Sequence, residues 1–102
     1  MDRFAALAEP TRRRIVELLG SGERAAGALS QHFEISPPAI SQHLKALREA
    51  GLVRVRIDGQ RRLYSLDSDG FAEMDAWFER MRAFWSGRLD TLERELKKED
   101  KK

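Results

Sequence analysis

The segment from residue 36 to residue 51 carries a signal for each end of a helix. Ser36 is a residue type that caps a helix by accepting a hydrogen bond from an otherwise unpaired backbone N–H. The next two residues are prolines, which fit the first helical positions because the N–H groups they lack would be unpaired there. Gly51 suits the left-handed residue that closes a helix. The sequence therefore predicts a helix over about residues 37–50.

The predicted helix has one apolar side and one polar side. Ile40, Leu44 and Leu47 recur at i, i+4 and i+7, which is the spacing of a stripe that packs on a core. The opposite side carries Pro38, Ser41, Gln42, Lys45 and Glu49. Such a side fits the major groove of DNA, where base edges offer donors, acceptors and the thymine methyl. An ordinary capped surface helix has the same pattern, so both interpretations stay open for this segment alone.

Length and composition restrict the class of protein. The 102 residues suffice for one domain with a small core, and the absence of cysteine excludes disulfides and thiolate metal sites. No apolar run approaches the roughly 18 residues of a membrane helix and no signal peptide is apparent, so we expect no membrane partner and a cytoplasmic location. Residues 1–66 carry a net charge of +4 and the remainder carries −2. This distribution suits a polyanionic partner that binds residues 1–66.

The N-terminal part of the chain predicts three short helices. The first has Phe4 and Leu7 as its buried pair, the second ends about Leu19, and the third covers about residues 25–33. About three residues then separate the third helix from the helix described above. This is the length of the connection in a helix-turn-helix motif.

A hairpin is predicted after the fourth helix. Residues 53–57 alternate apolar and basic side chains, an Asp-Gly turn signal follows, and residues 62–66 return. Of two registers, the one with a four-residue loop at 58–61 places Val55 opposite Tyr64 and gives one consistent apolar face. We therefore prefer that register.

The last segment predicts one long helix over about residues 68–96, with large apolar residues at steps of three and four. This stripe exceeds what three short helices can cover, so we expect a homodimer interface. The residues expected there are Phe4, Leu7, Phe71, Trp77, Phe78, Met81, Phe84, Trp85, Leu89 and Leu92. Alternatively, Trp77, Phe78, Phe84 and Trp85 line a pocket for an apolar small-molecule effector. Residues 97–102 are expected to form a charged, flexible tail after a single domain at 1–96.

Three stretches in this order resemble the signatures of the ArsR/SmtB family of bacterial transcription regulators: EPTRRRIVELL at 9–19, ISQHLKALREAGLV at 40–53 and DGQRRLYSL at 58–66. The pattern and the resemblance both predict a winged helix-turn-helix fold, mainly α with a small β-hairpin and five helices. The resemblance further implies a homodimer that binds a palindromic double-stranded DNA operator, with one recognition helix in each of two successive major grooves.

By carry-over from the family, residues 36–45 form the front of the recognition helix and the hairpin at 53–66 forms the wing. Gln42 suits a bidentate contact with adenine, and Pro38 and Ala39 suit a thymine methyl. Basic residues supply affinity and salt dependence more than base choice. The residues expected at DNA are Ser36, Pro38, Ala39, Ser41, Gln42, His43, Lys45, Arg56, Arg61 and Arg62. For His43, contact with a phosphate and simple packing are equal alternatives.

The chain departs from the metal-sensing members of that family. Their third helix carries Cys-Val-Cys, or their last helix carries Asp, His and Glu ligands. Here residues 25–27 are Ala-Ala-Gly, and the predicted last helix contains no histidine. Glu73, Asp75 and Glu79 remain, but carboxylates alone are typical of a solvated helix face. We therefore expect neither a metal nor another cofactor.

No catalytic arrangement emerges from the sequence. Ser41 and His43 lie two residues apart on one helix and so diverge, which argues against a nucleophile–base pair and against an enzyme. The expected function is a sequence-specific double-stranded-DNA-binding transcriptional regulator, a dimeric repressor of its own operon. The alternatives are an activator or sensor of an apolar effector, and a helical protein-interaction module that acts through its aromatic C-terminal helix.

Overall fold

Five helices and a three-stranded antiparallel sheet make up the computed structural model, which describes the backbone of residues 1–100 and the side chains of residues 1–98. The predicted fold class, mainly helical with a small β-hairpin, is confirmed. Residues 1–71 form one compact unit, and the chain from Ala72 onward forms a second. The elements are α1 (Arg3–Ala8), α2 (Pro10–Leu19), β1 (Arg24–Ala25), α3 (Ala26–Ser30), α4 (Pro37–Glu49), β2 (Val53–Asp58), β3 (Arg61–Leu66) and α5 (Ser68–Asp100).

The first two helices are capped by acidic side chains. Asp2 accepts a hydrogen bond from the Ala5 N–H at 2.7 Å, and Glu9 accepts one from the Arg12 N–H at 2.8 Å. The prediction that Phe4 and Leu7 form the buried pair of α1 is wrong, because neither side chain is buried in the single chain. Phe4 is 42% exposed and Leu7 is half-buried, because the inward side of this six-residue helix is the one that carries Ala6.

The third helix is shorter than predicted. It spans Ala26–Ser30 instead of residues 25–33, because Arg24 and Ala25 pair with β3 as a short strand. The strand order is β1-β3-β2, so the sheet has a third strand that the sequence analysis missed. After α3 the chain turns, with the His32 and Phe33 N–H groups donating to carbonyl oxygens three residues back. Six residues, not three, therefore connect α3 to α4.

The predicted fourth helix is confirmed in both its ends and its orientation. Ser36 Oγ accepts from the Ala39 N–H at 3.3 Å, and Gly51 adopts a left-handed φ of 75°. The stripe of Ile40, Leu44 and Leu47 is fully buried. Burial of this stripe leaves the polar side of α4 at the surface.

The hairpin has the predicted register with a tighter turn. Val55 lies opposite Tyr64, as predicted. The pairing continues to Asp58 and Arg61, so the four-residue loop is wrong and only two residues form the turn. Gly59 permits this because it has a positive φ of 63° at the first turn position, as in a type II′ turn.

The start of α5 is fixed against the turn between α4 and β2. The Asp67 N–H donates to the Leu52 carbonyl oxygen at 2.9 Å. A Cβ atom at Gly70 would lie 1.9 Å from the Gly51 carbonyl oxygen, so only glycine permits this approach. The start of α5 therefore has a fixed position relative to the end of α4.

Helix α5 extends farther than predicted. It continues to Asp100, so residues 97–100 of the expected flexible tail are helical, while residues 101–102 lie outside the described residues. Lys97 and Lys98 in the last turn favour this extension through the helix dipole, and Lys97 lies 3.6 Å from Glu93 at i, i+4 spacing. No described helix is both long and apolar enough to cross a bilayer.

Candidate nucleic-acid interface

The surface side of α4 presents most of the residues expected at DNA. Pro38, Ser41, Gln42 and Lys45 are exposed, whereas Ala39 is half-buried. Ser36 is exposed at the front of the helix, where its oxygen serves as the cap and its hydroxyl can still donate a hydrogen bond. The polar side of α4 is therefore accessible along its length.

His43 lies apart from this surface. Its Nδ1 atom is 3.3 Å from Arg12 Nη1 and 3.8 Å from Glu9 Oε2, and only 23% of its side chain is exposed. Arg12 is itself anchored by a 2.7 Å hydrogen bond from Nε to the Ala6 carbonyl oxygen. His43 therefore packs against the start of α2.

Glu9 completes this small polar cluster. Desolvation raises the pKa of the Glu9 carboxyl. The hydrogen bonds from the Arg12 and Thr11 N–H groups and the nearby His43 lower the pKa by more than desolvation raises it, so it lies below the usual value. Glu9 is thus held ionised where it caps α2.

The wing arginines divide between the two faces of the sheet. Directly paired residues on antiparallel strands point to the same face. Arg62 therefore shares a face with Tyr64 and with Val55, which pairs with Tyr64. The other face carries Arg54, Arg56 and Arg61, which we call the outer-face arginines.

Each outer-face arginine is held by a carboxylate. Arg56 makes two hydrogen bonds with Glu23, from Nε at 2.8 Å and from Nη2 at 2.7 Å. Arg61 Nη2 lies 3.4 Å from Asp58 Oδ2. Arg54 lies between two acids, 3.4 Å from Asp67 and 3.2 Å from Asp69. The positive charge of this face is therefore largely compensated within the protein.

The Arg56–Glu23 pair also changes the titration of both groups. The hydrogen bonds from the Arg56 guanidinium hold the pKa of Glu23 below its usual range, and Glu23 raises the pKa of Arg56. Glu23 was not among the residues predicted at the site. Its position depends on β1, a two-residue strand with no detectable sequence pattern.

A cleft of about 440 Å3 lies between α4 and β3. It is lined by Ala26, Ser41, Gln42, Lys45, Arg48, Arg62 and Tyr64, a set with three cationic side chains and no acidic one. Among the side chains that the structure describes, Lys45, Arg48 and Arg62 form no ion pair. We call this feature the cationic cleft.

Three lining residues of the cationic cleft were not among those predicted at DNA: Ala26, Arg48 and Tyr64. Arg48 lies seven residues after Ser41 and three residues after Lys45, which places all three on one side of a helix. This spacing could have predicted Arg48 as a site residue. Tyr64 was assigned to the apolar face of the hairpin, and it is indeed only 7% exposed. Tyr64 nevertheless lines the cleft, which no hydrophobicity pattern reveals.

The distal part of α5 exposes large apolar side chains. Phe84, Trp85, Leu89, Leu92 and Leu96 are each between 49% and 62% exposed. An open groove of about 510 Å3 runs beside Phe84 and Leu92, and of the four aromatic residues expected to line an effector pocket only Phe84 borders it. The guanidinium of Arg88 lies 4.2 Å from the centre of the Phe84 ring, a cation–π contact.

The other residues of the expected dimer interface are more sheltered. Phe71, Trp77 and Met81 are half-buried, while Phe78 is 42% exposed and contacts the Trp77 ring edge to face, with the ring centres 5.2 Å apart. Within the described part of the chain, no three His, Asp or Glu side chains gather in a way that could hold a metal ion.

A family model described as a bacterial regulatory protein of the arsR family matches residues 9–55, from the cap of α2 into β2. The HTH-type transcriptional regulator Rv2034 of Mycobacterium tuberculosis is 46% identical over 86 residues, which cover 84% of this chain and 78% of that protein. The chain belongs to the ArsR family. The transcriptional repressor SdpR of Bacillus subtilis is 39% identical over 74 residues, covering 72% of this chain and 82% of SdpR.

Solved structures of ArsR-type regulators have the same fold. A crystal structure described as a possible transcriptional regulator for arsenical resistance has a TM-score of 0.74 and 50% identity, covering 80% of this chain and 85% of that one. An ArsR-like transcriptional regulator from Rhodococcus sp. RHA1 has a TM-score of 0.74 and 32% identity, and the match covers 87% of this chain and 84% of that one. This ArsR-family chain is a DNA-binding transcriptional regulator of the winged-helix type.

Proposed function

We propose that this protein represses transcription as a homodimer that binds a palindromic operator, probing bases with the surface side of α4. The observation that carries the proposal is the cationic cleft beside the exposed polar side of α4. A polar helix side for base edges next to cations for phosphates is the combination that duplex recognition requires. Control of its own operon, as predicted from the sequence, remains part of this proposal.

The residue roles in this proposal follow from exposure. Gln42 and Ser41 are exposed donors and acceptors for base edges, and Pro38 and Ala39 offer apolar contact with a thymine methyl. Ser36 and Lys45 contact phosphates. His43 positions α4 against α2 instead of touching DNA, in view of its contacts with Arg12 and Glu9.

The wing contributes unequally in this proposal. Arg62 is available to phosphates, since it forms no ion pair among the described side chains. Arg56 and Arg61 reach DNA only if they leave Glu23 and Asp58. We therefore assign Arg62 the larger share of the binding free energy.

The distal part of α5 supports the proposed dimer. Trp85, Leu89, Leu92 and Leu96 follow one another at steps of four, three and four residues, which is the spacing of a two-helix seam. Each is half exposed or more, so their stripe lacks a cover within the described chain. A second copy covers the same stripe under two-fold symmetry and brings two recognition helices into one assembly.

We further propose that the protein acts without catalysis or a cofactor, next to DNA in the cytoplasm. Its named relatives are transcriptional regulators, a class that does not require catalysis. An apolar effector at the dimer seam is an alternative, but the described groove beside Phe84 is open and does not enclose such a ligand.

A binding experiment tests the proposed function. Fluorescence anisotropy is measured with a labelled duplex from the region upstream of the gene and with a duplex of the same length and scrambled sequence. We expect the upstream duplex to bind at least about a thousandfold more tightly. Gln42→Ala is expected to reduce this preference by about five- to 150-fold, whereas Gln31→Ala, an exposed glutamine outside α4, leaves it unchanged. Equal affinity for both duplexes contradicts the proposal.

A further inference from the structure

The cationic cleft holds three like charges without a compensating acid. Lys45, Arg48 and Arg62 line one cavity from two different elements, and no acidic side chain lines it. Like charges gathered at a concave surface raise the local positive potential and favour a bound anion. The outer-face arginines, in contrast, each have a carboxylate partner within 3.4 Å.

We propose that the cationic cleft is a phosphate-binding site in which Lys45, Arg48 and Arg62 hold one phosphate group and the Tyr64 hydroxyl donates to it. The proposal rests on the proposed function insofar as the phosphate belongs to duplex DNA. A phosphorylated small molecule presents the same chemistry, and the experiment below distinguishes the two sources.

The geometry of α4 permits contact from one side of the cleft. Ser41, Lys45 and Arg48 are spaced at i, i+4 and i+7, so they form one row that spans about 10 Å of the helix axis. Arg48 lies in the last turn of α4, beyond the residues 36–45 that were expected to meet DNA. The row therefore extends the contact surface of α4 by about one turn toward its C-terminus.

Strand β3 supplies the opposite side. Arg62 and Tyr64 are two residues apart on one strand and so point to the same face. The Tyr64 ring is buried, yet its hydroxyl forms no hydrogen bond with a described residue and is not fully enclosed. A buried ring with an accessible hydroxyl provides a rigid donor, and the planar arginine groups provide paired donors that match phosphate oxygens.

The three uncompensated cations of the cleft favour an anion over an apolar ligand. Its volume of about 440 Å3 is within the range of small-molecule sites. Such sites are lined mainly by apolar and aromatic side chains, whereas five of the seven residues here are polar or charged, and the two others are Ala26 and Tyr64. A phosphate group satisfies the donors and the charge together.

The first arm of the test uses duplex DNA and salt. The affinity of the full chain for a labelled duplex that spans two successive major grooves is measured at increasing salt, for wild type, Arg48→Gln and Arg94→Gln. Arg94 is a control because it is an exposed α5 arginine with no ion pair among the described side chains. We expect Arg48→Gln to reduce the steepness of log K against log salt by up to about 0.9 for each occupied cleft, because Lys45 and Arg62 still contact the phosphate, and Arg94→Gln to leave it unchanged.

The second arm uses pyrophosphate and no DNA. Pyrophosphate is titrated into wild type and Arg48→Gln at constant ionic strength, and binding is followed by calorimetry. Saturable binding that Arg48→Gln abolishes assigns the site to free phosphorylated molecules as well. Binding in the first arm alone assigns it to the duplex backbone. Arg62→Gln repeats both arms from the other side of the cleft, and thermal unfolding checks that each variant is folded.

The outcomes separate this inference from the proposed function. If wild type does not bind duplex DNA even at low salt, the proposed function fails and the pyrophosphate arm alone decides the inference. If wild type binds DNA, but Arg48→Gln and Arg62→Gln keep the salt dependence of Arg94→Gln and pyrophosphate does not bind, the inference is overturned while DNA binding stands.

Discussion

The cationic cleft and the outer face of the wing each carry three cationic side chains, but only the cationic cleft lacks acidic side chains that compensate this charge. Lys45, Arg48 and Arg62 line the cleft without an ion pair among the described residues. On the outer face, Arg54, Arg56 and Arg61 are all within ion-pair distance of acids. The number of basic residues in a wing therefore says little about which of them are available to DNA.

Strand alternation and a few distant acids produce this difference. Arg61 and Arg62 are sequence neighbours, but successive residues of a strand point to opposite faces. Asp58 reaches Arg61 across the two-residue turn, while β1 brings Glu23 within reach of Arg56. An exposed ion pair contributes little stability, so its main consequence here is that the arginine is occupied.

The largest expected effect comes from adjacent arginines on opposite faces. Arg62→Gln should weaken duplex binding at least about tenfold, because it removes charged hydrogen bonds to a phosphate. Arg61→Gln makes the same change in net charge and should weaken binding only about two- to threefold, as expected for an exposed, paired charge. Anisotropy with one labelled duplex measures both, and equal losses would remove the distinction between the two faces.

A smaller effect of opposite sign is expected for the acid that holds Arg56. Glu23→Gln should tighten duplex binding about two- to fivefold, because it releases the Arg56 guanidinium and removes a negative charge. Glu34→Gln makes the same change in net charge at an exposed acid that forms no ion pair among the described residues. An equal gain in that control would attribute the effect to net charge instead of to Arg56.

The smallest expected effect is a pH dependence of stability. The pKa of Glu23 lies below its ordinary value in the folded protein. As the pH falls, Glu23 is therefore protonated at a higher pH in the unfolded chain than in the folded protein. The small stabilisation by the Arg56–Glu23 pair is then complete above the ordinary carboxyl value and is lost as the pH falls through the folded pKa. Thermal unfolding of wild type and Glu23→Gln should differ by a constant amount above about pH 5 and converge in acid. A difference that grows on acidification contradicts this.

Local signals in the sequence accounted for much of the fold. The cap at Ser36, the closing Gly51 and the buried stripe of α4 are short-range patterns, and all three are confirmed. The hairpin register also followed, because only one pairing buries a consistent apolar face, with Val55 opposite Tyr64.

Features that depend on distant contacts could not be predicted. The strand β1 has two residues and exists only through its pairing with β3. The requirement for glycine at position 70 arises from the Gly51 carbonyl oxygen, 19 residues earlier in the chain. The occupation of Arg56 by Glu23 is likewise a contact between residues 33 positions apart. In the candidate site, the α4 residues followed from helical spacing, whereas the division of the wing arginines required the sheet itself.

The apolar stripe of α5 was predictable from a local pattern in its spacing, but the surface that covers it was not. Its spacing was apparent from the sequence, and its exposure is apparent in the structure. In a single chain, Trp85, Leu89 and Leu92 are each half exposed or more. The proposed dimer covers them, and the oligomeric state in solution tests it.

The arginine side-chain Nε–Hε resonances of the full chain, recorded with and without the upstream duplex, test the central claim most directly. Each arginine reports its own surroundings, so the two faces are compared in one sample. The account predicts that the resonances of Arg48 and Arg62 shift when the duplex is added, while those of Arg56 and Arg61 keep their positions in the free protein. Shifts at Arg56 and Arg61 with none at Arg48 and Arg62 would contradict it.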